Sequence, residues 1–369
     1  MHDLIFQALK RPDTPAAFSL QEWDLLIRQG RRANLLSRLA WLLGEAGCRS
    51  VPAVVARHLL SAEATAERQR TAIRWEVECI RAALAVTGVP LVLLKGAAYV
   101  LADLPTAKGR LFSDVDIIVP KQSIAAVEAA LLLHGWNSRN HTAYDQRYYR
   151  HWMHEIPPMQ HVRRGSVLDV HHAILPETAR IKTNAKVLLA NTVQVASGVF
   201  VLAPTDMLLH SATHLFHEGE LDNGLRDLFD IDSLLRHFGA EPEFWDRLVP
   251  RAVELGLTRP LYYALRYSMQ LLDTPIPEPI ARAAAVGRPS PMVRALMDFC
   301  YLRALRVNHS TCSDRWTPVA RRLLYVRSHW LRMPFLLLVF HLARKAFISD
   351  RPPGSEAGAL EKQQEQNPP

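Results

Sequence analysis

Three aspartates form the clearest chemical pattern in this sequence. Asp114 and Asp116 lie two residues apart in DVDIIV, whose β-branched residues predict a strand. Side chains two apart on a strand project from the same face, and two such carboxylates repel each other unless a cation lies between them. Asp169 lies between Leu168 and Val170 on another predicted strand. If that strand lies beside DVDIIV, the three carboxylates converge.

Converging carboxylates of this kind favour a divalent metal and chemistry at phosphorus. Hard oxygen ligands suit Mg²⁺, or Mn²⁺ in its place, and Mg²⁺ is commonly held by one or two carboxylates plus substrate phosphates. Three carboxylates can hold two metal ions about 3.5–4 Å apart, an arrangement used for in-line displacement at phosphorus. We expect Asp114 and Asp116 to bind metal. Asp169 would complete the metal site and help to remove a proton from an acceptor hydroxyl.

Residues upstream of these carboxylates are candidates for holding phosphates. Gly96 follows the apolar run 89–94 and lets the backbone approach a phosphate closely, and the helix after it offers free N–H groups. Lys95 could reach the phosphates, or could be a solvated residue at the end of a strand. Arg110 could counter phosphate charge, or could form an ion pair with one of the two aspartates of DVDIIV.

Histidines are concentrated near the third aspartate. Seven of the 16 lie between residues 134 and 172, so this stretch supplies candidates for the acceptor side of the site. His154 and His161 bracket HEIPPMQH, a segment long enough to form one wall of an acceptor pocket. His171 lies two residues from Asp169 and should share its face of the strand, where it could assist the metal or the acceptor proton.

A second group of histidines lies further along the chain. His210, His214 and His217 are spaced four and three residues apart, so they share one face of a predicted helix. Imidazoles in such a group could bind zinc or iron, or they could line a substrate pocket. The alternative is a packed helix face whose histidines form hydrogen bonds to carboxylates such as Asp227.

The elements around these residues predict an α+β fold, a small mixed β-sheet core flanked by helices. Strands are predicted over 89–94 and 114–119, with a hairpin formed by 159–164 and 167–174. Helices are predicted over 97–104 and 122–134, and the chain reads as helical again beyond residue 176. We expect four regions: helical 1–88, an α/β core over 89–203, helical 204–350 and a disordered tail over 351–369.

The motifs LLKG, GR, SDVDIIV and LDVHH, in this order, resemble the bacterial family of uncharacterised nucleotidyltransferases within the polymerase-β-type superfamily. The resemblance covers about residues 85–260. It implies a divalent metal, a nucleoside triphosphate donor, and a metal pair at Asp114 and Asp116 with Asp169 as third carboxylate. It also places Gly96 at the glycine turn. The superfamily has Gly-Ser or Gly-Gly after its first strand, where this chain has Lys95-Gly96-Ala97, so triphosphate binding must differ in detail.

Taken together, the residues and the resemblance predict a Mg²⁺-dependent nucleotidyltransferase. It would move a nucleoside monophosphate from a nucleoside triphosphate to an acceptor hydroxyl and release pyrophosphate. The sequence carries no motif that chooses among a small-molecule, a protein and a lipid-linked acceptor. The alternative is a non-catalytic scaffold that binds a nucleotide or a partner.

Charge points to a polyanionic partner. The chain has a net charge of +8 and a pI near 9.5, which suits nucleotide, nucleic acid or anionic lipid. Residues 315–349 hold seven Lys or Arg and no acid, with Trp316 and Trp330 among them. Such a segment suits a helix at an anionic membrane surface, a groove for nucleic-acid backbone, or a closing helix packed on the core. No module for sequence-specific nucleic-acid binding is visible.

Cysteine usage and hydropathy favour a cytoplasmic protein that is peripheral to the membrane at most. The four cysteines are scattered and form no CxxC pair, which excludes a zinc ribbon or a redox motif of that type. The N-terminus lacks the apolar core of a signal peptide. The longest uncharged stretch, 187–205, contains Asn191, Gln194, Gly198 and Pro204, so it is a poor membrane span.

Overall fold

The computed structural model describes residues 3–47, 51–138, 149 and 153–332. It confirms the predicted α+β class, with one seven-stranded mixed sheet and helices before, between and after the strands. The predicted tail over 351–369 and the predicted basic segment beyond residue 332 lie outside the described residues. The boundaries that we expect between the four regions stay predictions.

Four helices precede the sheet, as the sequence predicts: α1 (Leu4–Lys10), α2 (Leu20–Arg32), α3 (Leu36–Glu45) and α4 (Ala53–Leu84). A capping box starts α2, because the Ser19 side chain accepts from the Glu22 backbone N–H while the Glu22 side chain accepts from the Ser19 N–H. A short 3₁₀ turn follows α4, and Gly88, with φ +66°, ends it just before the first strand.

The sheet combines parallel and antiparallel neighbours. Its strands are β1 (Leu91–Leu94), β2 (Asp114–Ile118), β3 (Trp136–Asn137), β4 (Met159–His161), β5 (Val167–His171), β6 (Thr192–Ala196) and β7 (Val199–Leu202). The order is β3-β4-β5-β2-β1-β7-β6. In this order β2 runs parallel to β5 and antiparallel to β1, and β1 runs parallel to β7. The predicted strands and the β4–β5 hairpin are therefore confirmed, with shorter bounds.

One part of the secondary-structure prediction is wrong. The stretch beyond residue 176 is not helical throughout, because β6 and β7 form a hairpin that adds two strands to the sheet beside β1. Gly198 makes the turn with φ +73°. The alternation of Val193 and Val195 with polar neighbours is a strand signal in an uncharged stretch that we considered only as a membrane span.

The remaining helices surround the sheet and form the C-terminal part of the described chain. They are α5 (Lys95–Leu101), α6 (Ile124–Leu133), α7 (Ala185–Leu189), α8 (Pro204–His217), α9 (Gly224–Phe238), α10 (Pro242–Glu254), α11 (Thr258–Leu272), α12 (Glu278–Ala283), α13 (Pro291–Ala304) and α14 (Thr317–Arg332). Among the described residues, no helix combines the length and the apolar character needed to cross a bilayer.

Helix α8 is the central support of the site. Twelve of its fourteen residues are buried, so it has almost no solvated face. It packs against β7 on one side and against α9, α10 and α11 on the others. This burial fixes the helix against the sheet, and it places the polar side chains of its C-terminal half next to the strand ends.

A buried ion network fixes the loop that leads into β2. Asp230 on α9 accepts from Arg38 Nη2 at 3.0 Å and from Arg110 Nε at 2.7 Å. Arg38 on α3 also donates to the Thr106 carbonyl at 2.7 Å. A side chain at Gly109, with φ +64°, would lie 2.6 Å from the Ser37 carbonyl oxygen, so glycine is required for the loop to lie this close to α3.

Candidate functional site

The strand register brings the three predicted carboxylates together. In the parallel pair of β2 and β5, Asp116 lies directly opposite Asp169, and Asp114 lies two residues earlier on the same face. On the other side of β2, Asp116 lies opposite Leu94, the last residue of β1. The next residue, Lys95, therefore emerges at the same place as the carboxylates, and its predicted contact with phosphate stays a prediction.

Asp116 is the most heavily bonded of the three. Its Oδ1 accepts from Lys95 Nζ at 3.0 Å and from His171 Nε2 at 3.0 Å. Although burial alone would raise it, these two neighbours hold the pKa of Asp116 well below its usual range. In return Asp116 outweighs the effect of burial on Lys95 and raises the pKa of that ammonium group. Asp116 and Lys95 therefore form a buried ion pair.

Asp169 has the opposite surroundings. Its Oδ1 is shielded from solvent and has no hydrogen-bond partner among the described residues. Burial, together with the charges of Asp116, Glu155 and Asp114, raises the pKa of Asp169 to about 7. Asp114 accepts from Ser113 Oγ at 3.0 Å. A divalent cation would supply positive charge beside Asp169 and would bind its Oδ1. The three carboxylates offer oxygen ligands, so this donor set fits Mg²⁺ or Mn²⁺.

The turn between β1 and α5 is strained at one residue and crowded at the next. Lys95 has φ +44°, which is rare for a residue with a side chain. Residues with such strained backbone angles cluster at active sites and ligand-binding sites. A Cβ at Gly96 would lie 2.6 Å from Arg110 Nη1 and 2.9 Å from Phe112 Cδ1. Glycine at this position is thus explained by the approach of Arg110 and Phe112. The phosphate contact predicted for Gly96 stays a prediction.

Arg110 forms neither of the ion pairs that we considered for it. Its partner is Asp230 rather than an aspartate of β2, and its guanidinium lies over the ring of Phe112 with 5.2 Å between them. The residue still borders the site. Together with Lys95, Gly96, Asp114 and Asp116 it lines a cavity of about 200 Å³.

Another part of the lining of this cavity comes from α8 and the start of α9. It is formed by Ser211, His214, Asn223, Arg226, Asp227 and Asp230. Arg226 binds Asp227 with two N–H groups, at 2.8 and 2.9 Å from the same carboxylate oxygen. The sequence analysis missed Asn223 and Arg226, because only the fold brings the start of α9 to the strand ends. The cavity is strongly polar and offers both cations and carboxylates to a ligand.

A larger cavity lies elsewhere and has a different character. It measures about 550 Å³ and lies at the first turn of α8, between that helix and α10. Its walls include Thr205, Phe244 and Arg247. None of the residues predicted for the site lines it, so size alone does not locate the chemistry of this protein.

Two of the three acceptor-side histidines lie next to the carboxylates. His171 reaches Asp116 through Nε2, and its Nδ1 lies 3.2 Å from Glu155 Oε2. The rings of His154 and His171 are 5.3 Å apart. The sequence analysis missed Glu155, although HEIPP places it beside a candidate histidine. The imidazole of His171 therefore connects the carboxylate site to a second polar cluster.

The third of these histidines has a different environment. His161 on β4 packs edge-on against Trp136 and its Nε2 lies 2.8 Å from Arg164 Nη1. Arg164 in turn binds both carboxylate oxygens of Glu76 on α4, at 2.8 and 2.9 Å. The contacts of His161 thus belong to the packing of the sheet edge on α4. An acceptor role for it stays a prediction that these contacts do not support.

The three histidines of α8 have lowered pKa values, and two of them, His210 and His217, are buried, whereas His214 is half-buried. Burial and the charge of Lys95 lower the pKa of His210 to about 3, and Lys95 and burial together hold that of His214 well below its usual range. Burial and Arg327 lower the pKa of His217 to about 4, and its Nδ1 lies 3.1 Å from the Thr213 carbonyl oxygen. Among the described residues, the group with metal-ligand spacing includes none of these three. His214 contributes one wall of the cavity.

The comparison with family models identifies the chain. The model of the uncharacterised nucleotidyltransferase family matches residues 19–273, so the match starts well before residue 85, where the motifs alone indicated a start. A search of curated proteins and of solved structures found no match to this chain. Because the match covers more than half of the chain, the protein belongs to the uncharacterised nucleotidyltransferase family, and the predicted transferase class is confirmed at that level.

Proposed function

We propose that this protein moves a nucleoside monophosphate from a nucleoside triphosphate to an acceptor hydroxyl, at Asp114, Asp116 and Asp169. The observation that carries the proposal is the shielded Oδ1 of Asp169, which has no partner among the described residues and belongs to a carboxylate beside two others. A buried carboxylate without a partner is costly for a fold, so its presence here favours a cationic ligand that balances it. The family to which the chain belongs supports a nucleotide as substrate.

The three aspartates would hold Mg²⁺ or Mn²⁺. When bound, the metal would neutralise triphosphate charge and make the acceptor hydroxyl more acidic. The acceptor oxygen would then form a bond to the α-phosphorus while the bond from that phosphorus to the bridging oxygen breaks. Pyrophosphate would leave, and the proton of the acceptor hydroxyl would pass to the Asp169 carboxylate.

Lys95 is the residue of this site that we expect to change partner. In the structure its ammonium group neutralises Asp116 at 3.0 Å. A cation bound by Asp116 would take over that task, so the ammonium group would become available to the triphosphate. Arg110 is held by Asp230 at 2.7 Å, which favours a role in shaping the cavity wall over a direct phosphate contact. Its predicted phosphate contact stays a hypothesis.

The test is thermal stability in the presence of each of ATP, GTP, CTP and UTP, with and without Mg²⁺. A ligand that binds only the folded state must raise its stability. We expect a rise with at least one nucleotide that requires Mg²⁺ and is lost in Asp114→Asn. Asp114 is preferred over Asp116 for this purpose, because removal of the Asp116 charge would leave Lys95 and His171 without their buried partner.

The matched control is Asp24→Asn, which removes one carboxylate from the exposed side of α2. It should respond to nucleotide as the wild type does. A nucleotide shift that survives in Asp114→Asn, or the absence of any shift in the wild type, would overturn the proposal. A Mg²⁺-dependent shift without pyrophosphate release from any acceptor would favour the non-catalytic scaffold.

We further propose that α13 and α14 bring the protein to an anionic membrane surface. Val319, Leu323 and Val326 are spaced four and three residues apart on α14, and all are more than 40% exposed. Met292 on the neighbouring helix α13 is 83% exposed, and Trp316 lies exposed just before α14. Helix α14 carries four arginines and no acid. An apolar stripe with basic neighbours suits the surface of an anionic bilayer.

Flotation with vesicles tests this second proposal. The full chain should float with vesicles that contain anionic lipid, and Leu323→Glu should reduce the floating fraction severalfold. The control is Leu133→Glu, which changes an equally apolar and more exposed residue on α6. Equal flotation of both variants, or no flotation of the wild type, would contradict the proposal. Binding would favour a lipid-linked acceptor over a freely diffusing one.

A further inference from the structure

A second cluster of metal-ligand side chains lies beside the carboxylate site. One ring nitrogen of His154, one of His171 and a carboxylate oxygen of Glu155 lie within 4.8 Å of one another. The transfer reaction proposed above uses none of these three side chains to hold its metal. Two imidazoles and one carboxylate are a ligand set typical of transition metals, and some catalytic zinc sites use this His₂Glu set.

Backbone hydrogen bonds hold this cluster in place. Residue 155 forms an antiparallel bridge with His171, so the segment that carries His154 and Glu155 lies alongside β5. Ile156 N donates to the Val170 carbonyl at 3.1 Å, and His172 N donates to the His154 carbonyl at 2.8 Å. Ligands on backbone that is fixed in this way keep their mutual distances better than ligands on a free loop.

His171 is oriented as metal-binding histidines usually are. Its Nε2 lies 3.0 Å from Asp116 Oδ1, and this hydrogen bond fixes the ring and leaves Nδ1 directed at Glu155, 3.2 Å from Oε2. A carboxylate on the far ring nitrogen is the arrangement that orients and strengthens histidine ligands at metal sites. Asp116 would therefore serve this second site as a positioning residue.

His154 provides an independent observation. Its Nδ1 is shielded from solvent and has no hydrogen-bond partner among the described residues. A shielded ring nitrogen without a partner among the described residues is what an unfilled ligand position leaves in a fold.

We propose that His154, Glu155 and His171 bind one divalent transition metal ion of the zinc type. Three protein ligands leave a coordination position for water or for a ligand. The three ligands of this site differ from the carboxylates that would hold Mg²⁺ or Mn²⁺, although Asp116 contacts His171, and the existence of the site does not depend on the transfer reaction proposed above.

Cobalt substitution tests the site without any nucleotide. Full-length protein is dialysed against a chelator and titrated with Co²⁺, whose visible absorption is intense in four-coordinate sites and weak in six-coordinate oxygen sites. We expect one equivalent of Co²⁺ to develop the intense spectrum, and Zn²⁺ to abolish it by competition. His154→Ala and Glu155→Gln should each weaken Co²⁺ binding by roughly tenfold or more. Glu155→Gln keeps the shape of the side chain, so it remains informative if His154→Ala fails to fold.

Two control variants separate this site from others. His237→Ala removes an exposed histidine on α9 and should bind Co²⁺ as the wild type does. Asp114→Asn should also keep the spectrum, because Asp114 belongs to the carboxylate site. An intense spectrum that persists in both His154→Ala and Glu155→Gln would overturn the proposal, as would a wild type that never develops it. Failure of nucleotide binding would leave this result unchanged.

Discussion

Two aspartates of this protein, the buried Asp230 and the half-buried Asp169, have opposite surroundings. Asp230 on α9 accepts from Arg110 at 2.7 Å and from Arg38 at 3.0 Å, so two guanidinium groups compensate its charge. Asp169 on β5 has an oxygen with no described partner, and the neighbours that influence it most are the carboxylates of Asp116 and Glu155. Asp230 lines the polar cavity, and Asp169 lies opposite Asp116, which also lines it.

The difference distinguishes charged residues that stabilise the fold from charged residues that are available to bind a ligand. The Asp230 network joins α3, α9 and the loop before β2, so its partners are the elements that it holds together. The Oδ1 of Asp169 accepts from none of the described residues, and the raised pKa of about 7 means that the ionised form of this carboxyl is disfavoured there. A buried carboxylate whose charge is compensated by arginines therefore indicates a structural role. A carboxylate whose charge is not compensated indicates a functional role.

The largest effect should follow from a change to the satisfied aspartate. We expect Asp230→Asn to lower the free energy of unfolding by about 3–5 kcal/mol, because it leaves two buried guanidinium groups without their counter-charge. Urea unfolding followed by circular dichroism measures this change. Asp227→Asn is the matched control, since Asp227 lies on the same helix and its partner Arg226 lies at the cavity. A similar loss in the free energy of unfolding in both variants would contradict a special structural role for Asp230.

A change to the unsatisfied aspartate should have the opposite sign. We expect Asp169→Asn to raise the free energy of unfolding of the metal-free protein by about 1–3 kcal/mol at pH 8, because it removes an uncompensated buried charge. The same variant should lose Mg²⁺-dependent nucleotide binding. Unfolding in the presence of a chelator measures the first effect. A destabilised variant would show that Asp169 contributes to the fold.

The gain in stability of Asp169→Asn should depend on pH. The raised pKa means that the folded wild type binds more protons than the unfolded chain between about pH 4 and 7, so this carboxyl makes stability fall as pH rises through that range. The difference between variant and wild type should therefore grow by about 1–2 kcal/mol from pH 5 to pH 8. Taking the difference cancels the titration of the buried histidines, which both proteins share.

A smaller effect should follow from crowding at the turn after β1. We expect Gly96→Ala to destabilise the protein by about 1–3 kcal/mol, because the new Cβ would lie 2.6 Å from Arg110 Nη1 and 2.9 Å from Phe112 Cδ1. Gly44→Ala on α3 meets nothing within 4 Å and should be neutral or stabilising by less than about 1 kcal/mol. Equal thermal stability of the two variants would contradict the close approach at Gly96.

The carboxylate site could be predicted because its signals are local. The alternation in DVDIIV sets the face of Asp114 and Asp116, and the same period places Asp169 on its own strand. Only the pairing of the two strands had to be assumed, and the parallel register of β2 and β5 provides it. The fold class could be predicted from equally local patterns. The β6–β7 hairpin was not predicted, because it lacks the charged residues that usually identify the solvent-exposed side of a strand.

The partners of the charged residues could not be predicted, because they come from distant parts of the chain. Arg110 and Asp230 form an ion pair although they are 120 residues apart in the sequence. Glu155 is a neighbour of His171 through a strand-like pairing that the sequence HEIPP does not predict. The histidine spacing on α8 left two interpretations open. A spacing of three and four residues describes a packed helix face as well as a metal site, so the sequence does not choose between them.

The central claim is that the carboxylates of β2 and β5 form a metal and nucleotide site. Its most direct test is a Mn²⁺ titration followed by electron paramagnetic resonance, in the presence of the nucleoside triphosphate that stabilises the protein most. We predict that the wild type and Asp24→Asn bind Mn²⁺ with equal affinity, and that Asp114→Asn and Asp169→Asn bind it at least tenfold more weakly. Equal Mn²⁺ binding by all four proteins would contradict the claim.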